Sequence, residues 1–152
     1  MSAFYVLNTD ASIGPSGKAA IRVVLRQKLR KGKPLSVIAF ISKKIDTDDI
    51  TTAEYVALID GLRLAARYKP GTLRVFTDSD FIPKEIDHPD PGFKPPRARR
   101  HLYDRAQHQI NLIGRERVKV LWVPRDMNAE ADQRAADAFF ERRRGGVWVR
   151  PT

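Results

Sequence analysis

The chain has 152 residues, 42% of them hydrophobic and 30% charged, which suits one compact domain with its own core and excludes a disordered chain. Its 28 Lys and Arg outnumber 18 Asp and Glu, giving a formal charge of +10. A polyanion, nucleic acid first, is therefore the favoured partner, with solubility or a protein partner as the alternatives.

There is no cysteine, which excludes a disulfide framework and a thiolate zinc site. The opening Met1 to Leu7 has neither a basic flank nor a cleavage-like site, and apolar runs such as Val37 to Ile41 are too short to span a bilayer. A cytoplasmic or nucleoid-associated monomer without membrane contact is expected.

The first third reads as strands. Phe4 to Asp10 is rich in aromatic and β-branched residues and runs into the turn-forming Ile13-Gly-Pro-Ser-Gly17, so a strand delivers Asp10 to a loop. Lys18 to Lys28 and Pro34 to Ser42 are two more extended runs around the Arg30-Lys31-Gly32-Lys33 turn, which makes an antiparallel meander. The period then changes: Tyr55, Leu58, Ile59, Leu62 and Ala66 predict a helix from about Thr52 to Tyr68, stopped by Pro70-Gly71.

Leu73 to Asp78 is a strand ending on an acid. A short helix over Asp80 to Asp87, a turn-rich His88 to Pro96, and a helix over Arg97 to Gly114 follow. Val118 to Val123 is a buried-type strand leading to a helix from about Asn128 to Arg144, where Gly145-Gly146 stops it and Arg142 to Arg144 complement its dipole. Residues 144–152 read as a tail, either an edge strand or a loose end. Three strands followed by alternating helix and strand imply one α/β domain, a mixed five-stranded sheet whose antiparallel meander gives way to parallel strands, flanked by helices.

Four acids invite chemistry, each with a plainer alternative. Asp10 and Asp78 close strands, where open α/β sheets collect functional groups, but an Asp there also caps turns. Asp80 rivals Asp78. Glu54 fits a capping box opened by Thr51, yet it shares a face with Leu58 and Gly61 and so turns towards the sheet, where a carboxylate needs a partner. Asp132 falls beside the small-residue face of Ala131 and Ala135, whereas Glu130 and Asp126 suit a solvated helix start.

Taken together, Asn8-Thr-Asp-Ala-Ser12, Thr51-Thr-Ala-Glu54, Thr77-Asp-Ser79 and Val123-Pro-Arg-Asp-Met-Asn-Ala-Glu-Ala-Asp132 resemble, in order and spacing, the successive motifs of type 1 ribonuclease H. The resemblance runs from Phe4 to about Arg143, and the last motif is similar to the plant and archaeal branch of the family. It implies a ribonuclease H-like fold and an endonuclease that cuts the RNA strand of RNA/DNA hybrids, leaving 5'-phosphate and 3'-hydroxyl ends. Asp10, Glu54, Asp78 and Asp132 would be the catalytic residues and the ligands of two Mg2+ or Mn2+ ions. Clustered carboxylates repel one another, and hard cations would neutralise them. One ion would activate a water and the other would stabilise the leaving 3'-oxygen.

The resemblance also offers Ser12, Thr52, Ser79 and Asn128 as contacts that tell RNA from DNA through the 2'-hydroxyl, each with a plainer reading as a cap or turn residue. Lys94-Pro-Pro-Arg-Ala-Arg-Arg100 falls where some relatives carry a basic protrusion, making Lys94, Arg97, Arg99 and Arg100 candidate phosphate contacts; a solvated helix start is the alternative. Lys28 to Lys33 and Arg142 to Arg144 compete for that role. Many members have a histidine in the loop before the last acid, but Arg125-Asp-Met stands there in this chain, so Arg125 joins the substrate candidates and no histidine-assisted step is expected. His101 and His108 read as surface residues. Two other functions stay open: a catalytically silent nucleic-acid-binding module of the same fold, and another nuclease of the superfold such as a junction resolvase or exonuclease.

Overall fold

The computed structural model describes residues 3–29, 31–128 and 146–150. The helix expected over Asn128 to Arg144, and Asp132 with it, lies outside the described residues.

Alternation along the first strands decides which side chains enter the core. In β1 (Phe4–Ile13) Tyr5, Leu7 and Ala11 share one face, and in β2 (Ala19–Gln27) Ala19, Ile21, Val23 and Leu25 do the same; all seven are buried in one apolar cluster. β2 pairs antiparallel with β1 and with β3 (Ser36–Ile45), the expected meander. β4 (Thr72–Thr77) lies parallel to β1, and β5 (Val118–Trp122) parallel to β4.

Residues expected to form a tail or an edge strand form one: β6 (Gly146–Val149) pairs antiparallel with β3. Among the described residues the sheet thus has six strands, in the order β5-β4-β1-β2-β3-β6, rather than the five expected. Gly146 is the first residue of that strand as well as the expected helix stop. Trp148 stacks on Phe40 at 5.1 Å between ring centroids and, with Val24 and Val37, forms a small apolar cluster on the face opposite the main core.

Helix α1 (Ile50–Ala66) covers β1 and β2 on the core face, and α3 (Arg100–Ile113) packs against α1. The short α2 (Phe81–Ile86) sits beside β5. Gly61 sets how closely α1 approaches the sheet. A Cβ there would lie 2.9 Å from Leu7 Cδ2, 3.1 Å from Val23 Cγ1 and 3.2 Å from Thr9 Cγ2, so only glycine fits without displacement. No helix among the described residues is long and apolar enough to cross a membrane.

Candidate active site

The last paired residues of the parallel β1–β4 ladder are Thr9 and Thr77, so Asp10 and Asp78 are the next residues of two adjacent strands at the same level. The expected grouping of these two acids is found, with one change. β1 does not end at Asp10; it continues to Ile13, held by pairing with β2, and Asp10 stands opposite Arg22 inside the strand. β1 keeps a hydrogen-bonded neighbour after β4 has ended, which fixes the Asp10 backbone more firmly than a loop would.

Glu54 reaches the same region from α1. It lies seven residues before Gly61 and four before Leu58, on the face pressed against the sheet. The capping box expected from Thr51 is not what starts this helix. Asp49 is the N-cap: its carboxylate accepts from the amides of Thr51 and Thr52 and from the Thr52 hydroxyl. An Asp two residues before Thr51 supplies the acceptor, so Glu54 is released from capping.

The acids perturb one another. Burial, then repulsion from Asp78, raises the Asp10 carboxyl from 3.8 to about 6, against the Ala11 amide, Arg125 and Arg22, which favour its charged form. Burial also raises Glu54; Ser79 beside it opposes the shift, Asp78 and Asp10 add to it, and Arg125 counters it. Asp10 Oδ1 is buried without a hydrogen-bond partner, and the buried Ser79 hydroxyl favours the charged form of Glu54.

Arg125, in the 3-10 turn Arg125–Met127 that follows β5, places its Nε 3.5 Å from Asp78 Oδ2. That turn is tied to β1. Asn128, only 2% exposed, accepts from Asn8 Nδ2 at 2.8 Å and donates to the Thr9 carbonyl at 3.0 Å. Asn8 in turn accepts from Arg26 at 2.9 Å.

The donor set suits a hard divalent cation: carboxylate oxygens, one of them buried and unpartnered, with repulsion that a cation would relieve. Among the described residues no three Asp, Glu, His or Cys side chains are drawn closely enough to hold one ion. Asp10, Glu54 and Asp78 are coupled at longer range, and Asp132 is outside the described residues. Asp80 is exposed and makes no capping bond, which leaves Asp78 as the acid at the end of β4.

The other expected contacts divide. Ser79 lies in the site, and Ser12 continues β1 two residues beyond Asp10, on the same side by alternation. Thr52 is engaged by Asp49, and both ends of the Asn128 amide are used internally, so neither is a free substrate contact. Lys94, Arg97 and Arg100 are exposed, with Arg100 also donating to the Pro95 carbonyl.

Arg99 is not a phosphate contact in this arrangement. It turns inward, donating to both oxygens of buried Glu85 and lying over the Phe81 ring at 5.1 Å. Glu85 also accepts from the Tyr55 hydroxyl at 2.6 Å. Two features escaped the sequence reading: this Tyr55–Glu85–Arg99 network, and the Asn8–Asn128 pair. Asn8 carried a signal, since an amide interrupting Phe4-Tyr-Val-Leu must find a partner if the strand is buried.

Adjacent parallel strands that carry acids at one level, beside a helix-borne glutamate and behind an antiparallel meander, make the ribonuclease H-like fold. A family model described as reverse transcriptase-like matches residues 8–138, and the chain belongs to that family. Its structure is similar to the N-terminal RNase H domain of a Mycobacterium tuberculosis protein, solved as a fusion with maltose-binding protein. That likeness has a TM-score of 0.71 and 27% identity, over 90% of this chain and 94% of that one.

RNase H1 of the halophilic archaeon Halobacterium salinarum is similar at a TM-score of 0.65 and 24% identity, covering 90% of this chain and 98% of that one. LC11-RNase H1, solved in complex with an RNA/DNA hybrid, is similar at 0.58 and 24%, covering 86% and 91%. No curated protein matches the chain significantly in sequence. The resemblance to type 1 ribonuclease H therefore holds for family and fold.

Proposed function

We propose that the chain is a metal-dependent endonuclease that hydrolyses the RNA strand of RNA/DNA hybrids, leaving 5'-phosphate and 3'-hydroxyl ends. The observation that carries this reading is the placement of Asp10 and Asp78 at one level of adjacent parallel strands, coupled to Glu54 and leaving Asp10 Oδ1 buried and unpartnered. The hybrid bound by LC11-RNase H1 supports the substrate class. The chain's net charge of +10 suits it.

Asp10, Glu54 and Asp78, completed by Asp132, would hold two Mg2+ or Mn2+ ions. When bound, these supply Lewis-acid stabilisation of charge at phosphorus and lower the pKa of water. The protein contributes positioning. β1 and β4 fix two carboxylates, α1 brings the third, and Ser79 lies beside Glu54. Arg125 offsets negative charge at Asp78, while Lys94, Arg97 and Arg100 offer phosphate contacts. His88, His101 and His108 are all exposed, and the scheme assigns no proton transfer to histidine. A cytoplasmic monomer is the simplest setting, and the loop without histidine fits the plant and archaeal branch.

Cleavage of hybrid, duplex DNA and a four-way junction should be compared with Mg2+ and with Mn2+. Hybrid-selective cutting of the RNA strand, lost in Asp10→Asn with an unchanged circular dichroism spectrum, is expected. Binding of hybrid without cleavage under either ion would leave a silent binding module, and junction or DNA cleavage would indicate another nuclease of the superfold.

A further inference from the structure

The hydrogen bonds joining β1 to the turn after β5 form a chain whose direction is fixed at both ends. Arg26 can only donate, so the oxygen of Asn8 must face it. The Asn8 amide nitrogen is then left to donate to Asn128 Oδ1. The Asn128 nitrogen donates in turn to the Thr9 carbonyl, which can only accept. Both amides are buried, 3% and 2% exposed, and they stand 120 residues apart in sequence. A buried amide pair without its partner is costly, so this contact holds its segment in place.

The held segment is the turn that carries Arg125. Its backbone closes on itself through Met127 N to the Pro124 carbonyl and Asn128 N to the Arg125 carbonyl. Fixing Asn128 against Thr9, the residue before Asp10, therefore fixes the origin of the Arg125 side chain. That side chain is 75% exposed, yet its Nε lies 3.5 Å from an Asp78 carboxylate that is only 12% exposed. A long cation free to point into water is thus found over an acid of the site.

We infer that Asn8 and Asn128 are positioning residues that act through Arg125: their amide pair holds a resident cation over Asp78, which an incoming metal ion must displace. The inference rests on the proposed function for the identity of the site, although displacement of Arg125 is measurable without any hydrolysis.

The test is titration with Mn2+ alone, by calorimetry, of wild type, Arg125→Ala, Asn128→Ala, Asn8→Ala and the Arg125→Ala/Asn128→Ala double variant. An exposed guanidinium competing for a carboxylate predicts Mn2+ binding about twofold to fivefold tighter in Arg125→Ala. Either amide variant should tighten binding in the same direction, and the double variant no further than Arg125→Ala. Amide exchange at Met127 and Asn128 should quicken in the amide variants but not in Arg125→Ala, placing the amide pair upstream. The two amide variants break one contact from opposite sides, so one that folds suffices.

Unchanged Mn2+ affinity in Arg125→Ala overturns the resident cation. Additive effects, or slow exchange retained in a folded amide variant, overturn the positioning role. A wild type that shows these shifts but never cuts hybrid refutes the proposed activity alone. One that cuts hybrid without them refutes this inference alone. A wild type that binds no Mn2+ refutes both.

Discussion

Replacing Asp10 with Asn should stabilise the metal-free protein at neutral pH while abolishing cleavage, a combination that separates a functional acid from a structural one. Asp10 is raised from 3.8 to about 6 by burial and by Asp78. A carboxyl displaced that far costs the native state about 3 kcal/mol when ionised, and contact with solvent reduces the effect to about 1–2 kcal/mol. The sign follows from the direction. With the folded value above the unfolded one, the stabilising contribution is fully present below pH 3.8 and is lost as pH rises through about 6.

The wild type should thus approach Asp10→Asn in stability near pH 4 and fall below it by about 1–2 kcal/mol at pH 7. Urea unfolding at both pH values in the presence of a chelator measures the difference. Saturating Mn2+ should reverse it if Asp10 is a ligand as proposed, because ligation stabilises only the native state. A variant less stable than wild type at pH 7 without metal, or a pH-independent difference, would refute the account of Asp10 as a strained carboxylate.

Four other outcomes follow from packing and charge. Gly61→Ala should destabilise by about 1–3 kcal/mol in urea despite its better helix propensity, because its Cβ meets Leu7 and Val23; a stabilised variant would show that α1 can shift freely. Arg99→Ala strands the Glu85 carboxylate and should cost about 3 kcal/mol of stability, with Arg99→Lys recovering only part. Arg97→Ala or Arg100→Ala should each lower the slope of log hybrid affinity against log salt by about 0.7–0.9, with unfolding midpoints unchanged; a slope equal to wild type removes that residue from the interface. Trp148→Ala should cost about 1–3 kcal/mol through the lost Phe40 stack and loosened β6, seen as faster exchange of the Arg150 amide, which donates to the Ile38 carbonyl of β3.

Local chemistry made most elements legible. The period-two alternation of β1 and β2 and the helical period of α1 arise from neighbours within one element, so the meander, the helices and the two strand acids could be read in order. Adjacent residues also limited that reading. Thr51-Thr-Ala-Glu54 satisfies a capping pattern, yet Asp49 wins the helix start because its carboxylate accepts two amides and a hydroxyl at once. Arg97, Arg99 and Arg100 look alike in a row; only the position of Glu85 beneath Arg99 turns one of them inward.

Sequence by itself determined the family resemblance, the α/β class and the identity of three acids that the fold brings into mutual influence. Tertiary structure alone decided that β1 runs past Asp10, that β6 joins the sheet as a sixth strand, and that Asn8 meets Asn128. The physical reason is range. Alternation and helical period are written in contacts a few residues apart, whereas the amide pair spans 120 positions and exists only once the sheet has placed β1 beside the turn that follows β5. Asp10 shows both origins: its motif marked it as a candidate metal ligand, and burial beside Asp78 raised its carboxyl in the direction that a bound cation would oppose.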